Sequence, residues 1–186
     1  MKVISDYGGS TTPPEHRDSW MTPPEVFAVS DSEFRFIGDA AASDSNRLHA
    51  HYLTEQQDSL STDWLAYFGS GTVWCNPPYS DISPWVEKAN NEAKNGVGTV
   101  MLLPVDTSVG WFRLARPNCT EVRFITGGRL AFISAATGKP VSGNNKGSMF
   151  IIWNPYQPSA GFTGYVDRDS LIASGKTLLS SKSEAA

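Results

Sequence analysis

Cysteine is scarce in this sequence: Cys75 and Cys119 are the two among 186 residues. Neither belongs to a paired Cys-x-x-Cys or Cys/His motif, which excludes a zinc module or a disulfide framework as the organising device. Cys75 lies in an apolar run and reads as a small core residue. Long apolar runs are missing as well, and none approaches the roughly 20 residues of a membrane span. The opening Met1-Lys2-Val3-Ile4-Ser5-Asp6 has no apolar signal core. The expectation is a cytoplasmic protein with no membrane partner. His49 and His51 would share a face of a strand, but no further ligand stands at a suitable spacing, so no metal site is expected. Ser80 and Ser83 lack the His and Asp partners of a hydrolase.

An excess of positive charge is absent too. The net charge is −4, which argues against a purely electrostatic nucleic-acid binder. The distribution is uneven. Residues 1–112 carry six Lys/Arg against fifteen Asp/Glu, a net of −9. Residues 113–147 carry Arg113, Arg116, Arg123, Arg129, Lys139 and Lys146 against Glu121, a net of +5. A polyanion would therefore dock on the later part.

What is present is an ordinary globular composition, with 40% hydrophobic and 18% charged residues and six Trp. The length suits one domain with one sizeable core. Residues 1–19 are polar and read as an arm, residues 20–169 as the domain, and residues 170–186 as a flexible tail. Pro24–Ala28 predicts a short helix and Phe34–Ile37 a short strand that runs into Gly38-Asp39-Ala40-Ala41-Ala42. Thr72–Cys75 is a second strand. Ser83 and Pro84 open a helix, with Ser83 as its cap, that Gly96 can stop. Thr99–Leu103 is a continuous apolar run, the pattern of a strand covered on both faces. Trp111–Ala115 reads as helix, Glu121–Ile125 as strand, and Gly127-Gly128 as a turn before Arg129–Ile133. Residues 134–147 read as loop, and Ser148–Trp153 as the last clear strand. Strands alternating with helices point to an α/β fold with a mostly parallel sheet and a late antiparallel strand.

The informative feature is Asn76-Pro77-Pro78-Tyr79, placed where the strand Thr72–Cys75 ends. Ligand sites in open α/β sheets lie at such carboxyl ends. The residue before a proline is pushed out of the helical region, and each proline has φ near −65°. The Asn76 amide oxygen and the Pro77 carbonyl are thereby held with little freedom. Two rigid acceptors suit an exocyclic amine of a base, whose lone pair is delocalised into the ring. Hydrogen bonds from both amine hydrogens draw the nitrogen toward tetrahedral geometry and aim its lone pair. Tyr79 supplies a flat face for stacking. Asn154-Pro155-Tyr156 also follows an apolar strand but lacks the second proline, and reads as a turn.

These residues resemble the phage-type, Dam-like DNA adenine-N6 methyltransferases. The matching elements are Trp20-Met21-Thr22-Pro23-Pro24, Gly38-Asp39-Ala40-Ala41-Ala42, Tyr52-Leu53-Thr54 with Asp58-Ser59-Leu60 and Asp63-Trp64, Asn76-Pro77-Pro78-Tyr79-Ser80, and Gly128-Arg129-Leu130-Ala131-Phe132. They occur in the family's order across roughly residues 18–155. The tetrapeptide alone is shared with methyltransferases acting on RNA or on protein glutamine, and the combination is more specific.

The resemblance implies a Rossmann-like class I fold, S-adenosylmethionine as cofactor and DNA as substrate, with Asn76, Pro77, Pro78 and Tyr79 catalytic. It implies that Trp20, Thr22 and Pro23 close over the cofactor. Asp39 would pair with the cofactor's ammonium, Ala41 would allow close approach, and Asp58 would accept from its adenine amine. The glycine-rich loop common in methyltransferases is reduced here to Gly38. No large target-recognition domain fits in this length, so loops would carry selectivity. The basic segment makes Arg129, Lys139 and Lys146 the DNA-contact candidates. Trp85 is a further candidate near the site. A phage context would imply protection of viral DNA from host restriction. The alternatives are a methyltransferase on RNA or protein glutamine, and a catalytically silent nucleic-acid-binding relative.

Overall fold

The computed structural model describes residues 20–135, 137–141, 146–157 and 161–184. The expected arm at 1–19 lies outside them, as does part of the 134–147 segment.

Fourteen elements are labelled here in chain order. They are β1 (Trp20–Met21), α1 (Pro24–Phe34), β2 (Gly38–Asp39), α2 (Trp64–Phe68), β3 (Gly71–Cys75), α3 (Ser83–Lys94) and β4 (Val97–Pro104). Then follow α4 (Gly110–Ala115), β5 (Glu121–Thr126), β6 (Phe132–Ser134), β7 (Pro140–Val141), β8 (Ser148–Trp153), β9 (Phe162–Asp167) and α5 (Arg168–Glu184). A short 3-10 turn spans Glu55–Gln57.

The main sheet has the order β2-β3-β4-β8-β5-β9. The β2–β3, β3–β4 and β5–β9 pairings are parallel, and β8 runs antiparallel to both β4 and β5. Strand β4 sits mid-sheet and is buried from Val97 to Leu103. Its alternate residues serve two cores, as the two-residue side-chain period dictates. Met101 and Leu103 face a cluster with Trp64, Val86, Ala89 and Trp111 from α2, α3 and α4. Val100 and Leu102 face a second cluster with Trp74, Val26, Phe36, Phe150 and Leu171. A smaller sheet, β1-β6-β7, is antiparallel throughout.

Several expectations are corrected. Helix α1 runs on to Phe34, through the region expected to start a strand. Ser30 Oγ bonds back to the Val26 carbonyl, and Arg35, in the left-handed region at φ 53°, ends the helix. Strand β2 is therefore Gly38–Asp39, and Phe36 is a core residue stacked edge-on to Trp74 at 5.6 Å. Ser83 is not a cap: it is the first residue of α3, after Ile82. Part of the 134–147 loop is paired, as β7 on β6.

The expected flexible tail from residue 170 is instead helix α5. Leu171 and Gly175 are its buried residues. Gly175 lies against the α1 backbone so closely that a Cβ there would fall 2.3 Å from the Glu25 carbonyl oxygen. The polar Ser-, Thr- and Lys-rich composition hides a helix that docks through Leu171 and Ile172, with Gly175 giving close approach to α1.

Candidate active site

The carboxyl ends of β2 and β3 open into a cleft of about 580 Å³. Its walls include Trp20, Thr22, Asp39, Ala41, Asp58, Asn76, Pro77, Pro78 and Tyr79. The structure thus brings together nine of the residues singled out in the sequence, from four separated segments.

The Asn76 turn is held from two sides. The Asn76 Nδ2 donates to the Trp20 carbonyl at 3.2 Å, so strand β1 dictates which way the amide faces. The Asn76 Oδ1 is buried and has no hydrogen-bond partner. An unpaired buried acceptor is costly, by roughly 1–3 kcal/mol, and its place in a ligand-sized cleft marks it as awaiting a donor. Tyr79 is anchored by its hydroxyl, which donates to the Leu102 carbonyl at 3.1 Å. Its ring meets Phe132 edge-on at 6.3 Å. Burial pushes the phenol far above its usual range, so Tyr79 presents a ring and not an acid or base.

Asp39 ends β2 and is 3% exposed. Its Oδ1 accepts from the Ala41 amide at 3.3 Å and its Oδ2 from the Leu48 amide at 3.1 Å. These bonds fold the 40–48 segment back toward the strand. Burial nevertheless wins over both, and the carboxyl is pushed up to about 6. No ion pair among the described residues relieves it. Thr22 stands across the cleft, 3% exposed, with its Oγ1 also unpartnered. Pro23 does not line the cleft; it precedes α1, and its carbonyl accepts from the Val26 amide.

The far wall is the 54–60 segment. Thr54 and Gln57 form a reciprocal capping box over the 3-10 turn. Asp58 follows in the left-handed region, and its carboxylate accepts from the Ser61 amide and hydroxyl. Glu55 lines the same wall. The sequence reading missed it, although Thr54-Glu55-Gln56-Gln57 carries the capping-box pattern that places it. Trp85 also lines the cleft.

The DNA candidates stand apart from this cleft. Arg129, Lys139 and Lys146 are exposed. Lys146 is paired with Asp106 at 2.6 Å and holds that carboxyl down at about 2. Asn154-Pro155-Tyr156 follows β8 at the end of the sheet opposite the cleft, beside Gly98 near the start of β4. Tyr156 is 72% exposed there.

The family model for DNA N-6-adenine-methyltransferase (Dam) matches residues 9–178. A DNA N-6-adenine-methyltransferase of Escherichia phage T1 is 38% identical over 161 residues, covering 78% of this chain and 66% of that protein. One of Haemophilus phage HP1 is 34% identical over 152 residues, covering 80% of this chain and 86% of that protein. The chain belongs to the Dam family. This Dam-family chain thus spans about two thirds of the phage T1 protein and most of the phage HP1 protein. Its family match covers every segment that lines the cleft. Among the described residues no group of three or more His, Cys, Asp or Glu is placed to hold a metal ion, and no helix is long and apolar enough to cross a membrane.

Proposed function

We propose that this Dam-family chain transfers a methyl group from S-adenosylmethionine to the N6 amine of adenine in DNA, on a Rossmann-like class I fold. The observation that carries this reading is the buried, unpartnered Asn76 Oδ1, oriented by the Trp20 carbonyl and followed by two prolines. The phage methyltransferases named above support it.

The residues fit the cofactor. Asp39 is a buried carboxylate in want of a cation, and an ammonium is the group that suits it. The Thr22 hydroxyl is a second unused polar atom lining the cleft. Ala41 adds no bulk at the turn after β2. Asp58 and Glu55 bring acceptors for the amine and hydroxyl groups of a nucleoside. Trp20 in β1 and Thr22 just after it line the cleft and are placed to close over the cofactor. When bound, the cofactor supplies an electrophilic methyl on sulfonium sulfur.

The chain's own residues act on the amine. Asn76 Oδ1 and the Pro77 carbonyl accept its two hydrogens, drawing the nitrogen lone pair out of conjugation. Tyr79 offers its ring to the base. The transfer then needs alignment more than acid–base help, and the proton leaves to water. The target base must leave its helix to enter the cleft. We assign DNA contact to Arg129, Lys139 and Lys146. The phage origin of the relatives supports a role in protecting viral DNA from host restriction.

The test is labelled methyl transfer to unmodified DNA, with nucleosides identified by mass spectrometry. N6-methyladenine supports the proposal. Transfer to RNA or to a glutamine-containing peptide, with none to DNA, overturns it. Absence of cofactor binding by calorimetry favours a silent relative.

A further inference from the structure

Helix α3 carries a buried ion pair that the proposed chemistry does not use. Lys88 Nζ and Glu92 Oε1 lie 2.6 Å apart, with side chains 14% and 4% exposed. The helix itself favours this arrangement only weakly. A lysine preceding a glutamate by four residues is the weaker order, and a carboxylate near a helix C-terminus opposes the macrodipole. Glu92 Oε2 has no partner. Burying such a pair is often no more stabilising than apolar residues of the same size. The pair therefore calls for a reason other than stability.

That reason lies in what the pair grips. Lys88 Nζ donates to the Thr62 carbonyl at 2.6 Å. Glu92 Oε1 accepts from the Trp64 amide at 3.4 Å. The ammonium also sits over the Trp64 ring, 5.5 Å from its centroid. Trp64 passes the restraint on: its indole Nε1 donates to the Ser59 carbonyl at 2.9 Å and to the Ser59 hydroxyl at 3.2 Å. Ser59 is buried and lines the cleft beside Asp58. The same helix starts four residues after Tyr79. One rigid element thus spans from the Asn76–Tyr79 turn to the wall on the other side.

We infer that Lys88 and Glu92 are positioning residues that, by gripping Thr62 and Trp64, hold the cleft wall at 58–60 at the spacing the cofactor requires. The inference rests on the functional reading above for the identity of the cofactor. It makes the pair a determinant of cofactor affinity and not of the methyl-transfer step. The paired variant Lys88→Met/Glu92→Met keeps the volume and removes both charges, so it tests position without leaving a lone buried charge.

The experiment measures thermal stability, S-adenosylmethionine affinity by calorimetry, steady-state kinetics, and amide hydrogen exchange over residues 58–64. The expected result is a folded double variant with faster exchange in that segment. Its cofactor Kd and KM rise about tenfold, with kcat nearly unchanged. Lys88→Arg, which keeps the charge, is expected to retain most of the affinity. A folded double variant with wild-type exchange and wild-type cofactor affinity overturns the inference. If the wild-type chain itself binds no S-adenosylmethionine, the functional reading fails, and the exchange comparison still decides whether the pair holds the wall.

Discussion

The cleft wall at residues 76–79 and the wall at residues 39–60 hold their polar atoms by different means. At 76–79 the restraint is covalent. Two prolines limit the backbone, and two outside contacts complete the restraint, Asn76 Nδ2 on the Trp20 carbonyl and the Tyr79 hydroxyl on the Leu102 carbonyl. At 39–60 the chain has scarcely any regular structure beyond a 3-10 turn. Its shape comes from side chains gripping backbone: Asp39 on Ala41 and Leu48, Asn46 on Ser43, Gln57 on Thr54, and Asp58 on Ser61. The first wall places a reacting atom and needs rigidity. The second accommodates a larger ligand and is adjusted by replaceable contacts. Damage to the first should therefore fall on the rate of transfer, and damage to the second on binding.

The sharpest way to break this division is Asn76→Ala. Loss of one preorganised group at a reacting centre costs about 10²–10³-fold in rate. The expected outcome is a fall of that size in kcat with cofactor affinity unchanged, read from labelled transfer and calorimetry side by side. An equal loss in cofactor affinity would show that the two walls do not act separately.

The same contrast explains what was legible in the sequence. Asn76-Pro77-Pro78-Tyr79 could be read because its geometry is local: the prolines act on their own neighbours. Asp39 could be placed at a strand end, but the raising of its carboxyl could not, because that depends on burial by distant segments. Glu55 went unread until the turn around it was seen. The Lys88–Glu92 grip on Thr62 and Trp64 joins residues 26 and 28 apart, which no local pattern reveals. In the fold, the apolar β4 and β8 runs announced themselves. Helix α5 did not, since its few inward residues, Leu171, Ile172 and Gly175, stand among Ser, Thr and Lys, and β9, mostly exposed along its length, gave no apolar signal.

Asp39 sharpens the comparison through pH. Its carboxyl stands at about 6 against an ordinary 3.8, so the folded state resists its ionisation. Below pH about 4 the group is protonated in folded and unfolded chains alike and its burial costs nothing in charge. Between 4 and 6 the unfolded chain ionises first and stability falls as pH rises. Above about 6 both states are charged, and the full penalty, about 3 kcal/mol, stands. A cation beside the carboxylate removes that penalty. Cofactor affinity should therefore rise by up to about tenfold per pH unit from 5 to 6 and level off above it. Proton release on binding near pH 5.5 should be visible by calorimetry in buffers of different ionisation enthalpy. Asp39→Ala should bind weakly at every pH and show no such release.

Pro77→Ala tests the first wall more gently. The Asn76 side chain and the Trp20 contact survive, while the backbone regains freedom on both sides of the Asn76–Pro77 peptide. The expected outcome is a loss of about tenfold in kcat, through misplacement and not through a missing group. Cofactor affinity and thermal stability should move little. A larger loss than that of Asn76→Ala would mean that the Pro77 carbonyl, and not the Asn76 amide, is the dominant acceptor.

The smallest effects are expected where charge meets solvent, beyond both walls. Lys139 precedes β7, and β7 pairs with β6, which in turn pairs with the β1 strand that orients Asn76. Lys139→Glu should weaken DNA binding modestly and lower the slope of log affinity against log salt by about 1, the share of one phosphate contact. Lys146 has a competitor, because Asp106 already holds its ammonium at 2.6 Å. Such an exposed pair is worth about 0–1 kcal/mol, so removing it costs the fold little. Asp106→Asn should free Lys146 and tighten DNA binding, while the double change Asp106→Asn/Lys146→Gln should not. If Asp106→Asn leaves affinity and salt slope untouched, Lys146 serves the loop and not the DNA, and the contact surface narrows to the hairpin that carries Lys139.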